Sequence, residues 1–327
     1  MKCKLLVALS ILLLGCSPAP SDVNQEYNER LANVLNASPP STAKPTASKL
    51  AVSTLPVSKF SISVIDLAKL GHCRVATHIA SHNNQLGKLA KPSEIFKYNV
   101  NFIRYAQACI EHRDTENEVR LTLIKASAQK QKDLPAILAH VFTNEKELSQ
   151  FFSLTFEEVT YEVSDGEISA QEALSTLAKL TNNLGKPTHI QENNLTAALE
   201  KLNNNRYIQS LLSSTKKQIA WNLNGTRWLN EFSLTRTICP DGKNKKKAKV
   251  LNNVFQKYYI QNIQAYQSKL ALRLHTIEPY FESFSHKFGA HIYPNPITPL
   301  LNELKLSAKQ HVFWWQTFYK VCKVTPL

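Results

Sequence analysis

The sequence predicts an all-α protein, a helical bundle with one long spine helix, stapled by disulfides. Three observations carry this. From residue 65 onward, apolar residues recur at spacings of three and four, and alternation of period two is scarce. The chain has 327 residues but only 8 glycines and 15 prolines, too few for the many tight turns of an all-β protein. Four of its six cysteines, Cys73, Cys109, Cys239 and Cys322, lie within the helical part.

The elements follow in order. Lys2 and Lys4 precede an apolar run from Leu5 to Leu14 whose only polar member is Ser10. A run of that length rises only about 15 Å as a helix, roughly half the hydrocarbon core of a bilayer. Residues 1–15 therefore read as an export signal that is removed. Leu13-Leu14-Gly15-Cys16 resembles the lipobox of bacterial lipoproteins. The resemblance implies cleavage before Cys16, lipidation of Cys16 and attachment to a membrane facing the periplasm without a transmembrane helix. Ser17, where Asp would favour the inner membrane, points to the outer one. Residues 16–60 read as the lipidated cysteine and a flexible tether, rich in Pro, Ser, Ala, Thr and Asn. Tyr27, Leu31, Val34 and Leu35 interrupt it at helical spacing.

Residues 61–327 read as a helical periplasmic domain, long enough to bury a substantial core. Helices are expected near 65–81, 93–112, 116–130 and 144–153. The next is expected to begin at a capping box formed by Ser169 and Glu172. Its apolar face is Ala170, Ala173, Leu174, Leu177, Leu180 and Leu184, and Gly185 in the left-handed conformation would close it ahead of Pro187. Helices near 191–203 and 206–222 follow. The spine helix is expected from Lys247 to Ile277, with Asn262 a polar break in its seam and Pro279 ending or kinking it. A last helix over 298–322 aligns Trp315, Phe318 and Cys322 on one face.

Formal charge is +14, from 39 basic and 25 acidic residues. For an exported protein this directs attention away from nucleic acid and toward an anionic envelope component or an envelope protein. Lys243, Lys245, Lys246, Lys247 and Lys249 are the densest cationic run, read as a loop near Cys239 that could contact an anionic surface. Cysteine usage also agrees with export. The four cysteines allow three pairings, and the expected one joins sequence neighbours, Cys73 with Cys109 and Cys239 with Cys322. No CxxC pattern favours a metal over disulfides, and no metal or cofactor is expected.

No two glycines lie closer than sixteen residues, which excludes GxGxxG, GxxxxGK[ST] and GxSxG. The common dinucleotide, nucleotide and α/β-hydrolase sites are thereby removed. His78 and His82 stand at i,i+4 but enclose Ile-Ala-Ser, so the glutamate of a zinc hydrolase helix is missing. Glu157, Glu158, Glu162, Asp165 and Glu167 form an acidic island. Such a cluster could hold a general acid and base, or serve as partners for lysines of the same chain.

One block carries a family resemblance. Cys73 is followed by His82-Asn83-Asn84-Gln85-Leu86-Gly87-Lys88, then Pro92-Ser93 and Phe102-Ile103 leading to Cys109. The arrangement resembles domain of unknown function 3080, a family of proteobacterial proteins often labelled lipoproteins. The resemblance implies a helical fold, disulfides and an envelope address, and adds no mechanism. Within the block, Asn83 and Asn84 suit a helix end, Gly87 a turn and Pro92 a helix start. His82, Asn83, Asn84, Gly87 and Lys88 form a candidate binding loop. The expected function is a non-catalytic envelope binding or assembly module; the alternative is an envelope hydrolase with an unrecognised carboxylate or histidine site. No catalytic residue is assigned.

Overall fold

The computed structural model describes residues 19–41, 46, 50, 54–55, 63–83, 90–242 and 244–326. Cys16, Asn84, Gly87, Lys88 and Lys243 lie outside these. Among the described residues there is no strand, and the helices enclose three apolar clusters. No described helix is long and apolar enough to cross a membrane.

The first helix corrects the tether reading. Residues 22–35 form α1 (Asp22–Leu35), which ends at Asn36 in the left-handed conformation, φ 54°. Tyr27, Leu31, Ala32 and Leu35 are buried in the cluster that contains Phe255, Tyr259, Trp315 and Phe318. Composition suggested a tether because the buried face of α1 also carries Asn24 and Asn28, whose polarity dilutes the apolar signal.

The N-terminal end is α2 (Val64–Ala68), α3 (Arg74–His82), α4 (Pro92–Ile110) and α5 (Asn117–Asn144). The helix expected over 65–81 is two, because Cys73 adopts an extended backbone as the N-cap of α3. Its sulfur is bonded to Cys109 at 1.94 Å, clamping α3 against α4. Helix α5 runs well past its expected end, with Pro135 inside it. Leu134 just before the proline and Ile137, Leu138, Val141 and Phe142 after it are all buried, and their packing outweighs the hydrogen bond lost at proline.

Helix α6 (Lys146–Ser149) leads through a short 3-10 turn to α7 (Asp165–Asn182). Its cap is Ser164, whose hydroxyl accepts from the Glu167 amide at 3.2 Å. The Ser169–Glu172 box is therefore overruled: residues 165–168 continue the same turn, and Glu167 gains a buried partner by doing so. Gly185 does not take a positive φ, and Asn183 ends α7 with an ordinary backbone. Helices α8 (Glu192–Leu202) and α9 (Tyr207–Leu229) complete the central layer.

The spine, α10, is longer than expected. Segments Lys246–Val254, Phe255–Ile263 and Gln264–Phe288 form one helix of 43 residues, roughly 60 Å long. The middle segment is π-helical, and Asn262 lies in it, donating its side-chain amide to the Lys257 carbonyl at 2.7 Å. Pro279 does not end the spine. Ile277, Phe281 and Phe284 are completely buried on either side of it and hold the helix through the break. Helix α11 (Ile297–Cys322) packs back along α9 and α10, and Cys322 is bonded to Cys239 at 1.97 Å.

Candidate functional site

Helices α9 and α11 lie in direct contact. Asn222 donates to Ser307 at 3.2 Å, and a methyl group at Gly225 would stand 3.7 Å from the His311 ring. Small residues let the helices approach this closely, and their two sides differ sharply.

The inner side is a buried polar network. Trp315 Nε1 donates to the Tyr27 hydroxyl at 3.0 Å, and that hydroxyl lies 2.9 Å from His311 Nε2. His311 Nδ1 lies 2.9 Å from Thr226 Oγ1, which donates to the Asn222 carbonyl at 2.6 Å. Because Thr226 spends its proton on that carbonyl, Nδ1 must be the protonated nitrogen and Nε2 the acceptor from Tyr27. The imidazole is neutral, and burial pushes it down to about 3. Tyr259 and Gln267 both donate to Asn222 Oδ1, and Gln218 exchanges hydrogen bonds with Asn24 of α1. Tyr259 belongs to the π-helical segment of α10, so the network joins α1, α9, α10 and α11.

The outer side is an open groove of about 830 Å³. Leu223, Leu306, Phe313 and Trp314 form its walls, and Phe232 and Leu234 complete its apolar lining. Leu223 is 40 % exposed, Leu306 57 % and Phe313 65 %. Arg227 and Lys309 stand in the lining, Thr226, Asn230, Gln310 and Thr317 supply uncharged polar groups, and no carboxylate is present. Leu234 ties the lining to the second disulfide, since the Cys239 amide donates to the Leu234 carbonyl at 2.8 Å.

The acidic island borders a second, polar cleft and is largely spent in pairing. Glu167 and Arg273 are both buried and joined at 3.0 Å, and the same guanidinium donates to the carbonyls of Thr160 and Glu162. Glu158 takes Lys217 at 2.7 Å and the Ser21 amide at 2.9 Å, tying the start of α1 to α9. Glu157 pairs with Arg206 at the surface. The partners are lysines and arginines of the same chain, which leaves no free buried carboxylate pair here for acid and base work.

The structure packs the candidate histidines rather than presenting them. His82 stacks on Tyr98 with ring centroids 3.6 Å apart, and His78 stacks on the same ring at 4.6 Å while its Nε2 meets the Tyr98 carbonyl. Burial, with Lys130 and His78 as neighbours, lowers the pKa of His82. Lys130 lies over Tyr98 and Phe102, bonded to Asn99, and burial depresses it to about 8. Of the candidate binding loop only His82 and Asn83 are described. Asn83 follows α3, its amide donating to Ile79. His72 lies close to Cys73 and Cys109, but both sulfurs are used by the disulfide, and its Nε2 meets Thr115 at 3.1 Å.

The lysine run is a helix start rather than a loop. Lys246, Lys247 and Lys249 lie in the first turns of α10, Asn244 accepts from the Lys246 amide at 3.1 Å, and Lys245 donates to the Lys323 carbonyl at 3.3 Å. They make one cationic pole with the C-terminus of α11, on the same end as the second disulfide.

Sequence reading missed the groove entirely. Its signal was present in α11, where Leu306 and Phe313 fall off the face shared by His311, Trp315 and Phe318, leaving the helix apolar on two sides.

No curated protein and no solved structure matches the chain. A family model described as "Protein of unknown function (DUF3080)" matches residues 24–326, from the first turn of α1 to the last described residue. The chain belongs to that family.

Proposed function

We propose that the protein is a non-catalytic envelope lipoprotein, anchored through Cys16, and a binding module whose working surface is the α9–α11 groove. 

The observation that carries this reading is three large apolar side chains exposed side by side in one concave surface. Scattered exposed apolar residues are ordinary, but a contiguous patch of them marks a site of interaction. Two further features support a binding role over a hydrolytic one. Glu167, Glu158 and Glu157 of the acidic island are paired with Arg273, Lys217 and Arg206, and the imidazoles of His78 and His82 are packed on Tyr98. The lipobox and the basic charge support the address, with the outer membrane indicated by Ser17.

The test is site-specific photo-crosslinking in cells, with a photoreactive amino acid at position 313 of the full-length protein. A control carries it at Phe156, which is 97 % exposed and outside the groove. Adducts are expected from 313 and not from 156. No adduct at 313, or equal adducts at both, would overturn the groove as the working surface. The address is tested separately: Cys16→Ser should leave an unprocessed precursor that no longer carries lipid, and normal processing of that variant would refute it.

A further inference from the structure

Resting on the reading of the groove as the binding surface, we infer that its ligand is a single acyl chain of an anionic phospholipid. The walls take the chain, and Arg227 and Lys309 take the phosphate.

The shape of the groove admits an extended hydrocarbon chain. It is the furrow between two helices that touch, as the Asn222–Ser307 hydrogen bond and the contact of Gly225 with His311 require. The furrow holds about 830 Å³, room for an extended hydrocarbon chain, and it is walled by Leu223 on one helix and by Leu306 and Phe313 on the other. A polymethylene chain fits between them. Along α11 the lining runs from Leu306 to Thr317, roughly 16 Å of helix rise, which gives an elongated slot.

Charge then selects the head. Elsewhere in this chain cations beside a cleft take carboxylates, as Arg206 takes Glu157, Lys217 takes Glu158 and Lys201 takes Glu172. In the groove they do not. Among the described residues Arg227 donates to the Asn224 side chain alone, and Lys309 makes no hydrogen bond or ion pair. No carboxylate lines the slot to compensate them. Two uncompensated cations above an apolar floor complement a phosphate attached to a hydrocarbon chain, and a guanidinium can grip a phosphate through two parallel hydrogen bonds. The lysines near the second disulfide, with Lys245 held against Lys323, extend the same sign of potential beyond the slot. A zwitterionic head would bring a cation into this field and is disfavoured.

The experiment uses the full-length protein held in an amphipathic polymer without detergent, and displacement of an uncharged probe, a fluorescent fatty-acid methyl ester. Hexadecanoyl lysophosphatidylglycerol should displace the probe at a concentration about ten-fold lower than hexadecanoyl lysophosphatidylcholine, which has the same chain. Leu306→Asp with Phe313→Asp should abolish probe binding, whereas Phe156→Asp should leave it unchanged. Arg227→Gln with Lys309→Gln should remove the ten-fold preference and keep probe binding. All five side chains are exposed, and circular dichroism verifies that each variant is folded. Equal displacement by the two lipids, persistence of the preference in the Arg227–Lys309 variant, or probe binding insensitive to the groove variant overturns the inference. If position 313 crosslinks in cells but no lipid binds, the ligand class falls and the binding surface stands; if neither occurs, both fall.

Discussion

The two sides of the α9–α11 pair invert the usual order of a helical protein. On the inner side, among buried rings, stand Asn24, Gln218, Asn222, Gln267 and His311; on the outer side, in water, stand Leu223, Leu306 and Phe313. Each arrangement is unfavourable in isolation. A buried polar group costs free energy unless it is paired, and an exposed apolar one forfeits the gain of burial. The inner side meets its cost by linking the polar groups into one network, which also specifies how α1, α9, α10 and α11 sit against one another. The outer side meets its cost only when something covers it. The comparison teaches that the polar residues serve the architecture and the apolar ones serve an encounter, the reverse of the roles their chemistry suggests in a sequence.

The comparison can be broken first at the staple that holds both sides. Replacing Cys239 and Cys322 together by Ser should lower stability by about 4.5 kcal/mol, the loop-closure entropy of an 83-residue separation before native strain is subtracted. Denaturant unfolding measures it, and a loss below about 1 kcal/mol would mean that packing alone sets the position of α11. His311→Leu should cost about 3 kcal/mol, because Tyr27 and Thr226 are left in the core without their shared partner. A neutral outcome in the same unfolding experiment would show the network to be dispensable.

Acid sharpens the contrast. His311 stays neutral in the folded protein down to about pH 3, whereas the unfolded chain takes up its proton near pH 6.5. Between those values the unfolded state binds more protons, so this residue makes stability fall on acidification, by up to about 1.4 kcal/mol per pH unit. The variant His311→Gln should show a shallower decline from pH 6 to pH 4 than the wild type, and parallel curves would refute the neutral imidazole. The smallest effect belongs to the outer side. Phe313→Ser should change stability by no more than about 0.5 kcal/mol, since the ring is already in water, while weakening whatever occupies the groove. A loss of several kcal/mol would make Phe313 part of the core.

Much of the helical content was legible because periodicity is local. The apolar faces of α4, α7, α9 and α11 announce themselves at spacings of three and four, and both disulfides join sequence neighbours as expected. Ends were less legible. Pro279 suggested a stop and an end was expected near residue 130, yet the helices pass through Pro135 and Pro279 because buried residues lie on both sides. Ser169 and Ser164 are both good caps by type, and the choice fell to Ser164 because it extends α7 far enough for Glu167 to meet Arg273.

What the sequence by itself determined is what depends on near neighbours: an all-helical chain, the absence of glycine-built nucleotide and nucleophile sites, and the resemblance carried by the block from Cys73 to Cys109. What only the tertiary structure decided depends on which faces meet. Asn24 and Asn28 turn α1 from tether into core only because Gln218, Trp228 and Phe255 are there to receive that helix. The acidic island becomes a set of ion pairs only when Arg206, Lys217 of α9 and Arg273 of α10 are brought to it. The groove belongs to no single segment: Leu223 and Phe313 are ninety residues apart, and their exposure is meaningful only once α9 and α11 lie side by side. Local spacing specifies a helix and its faces, but the partner of each face is set by long-range packing, and it is at those junctions that the candidate site arises.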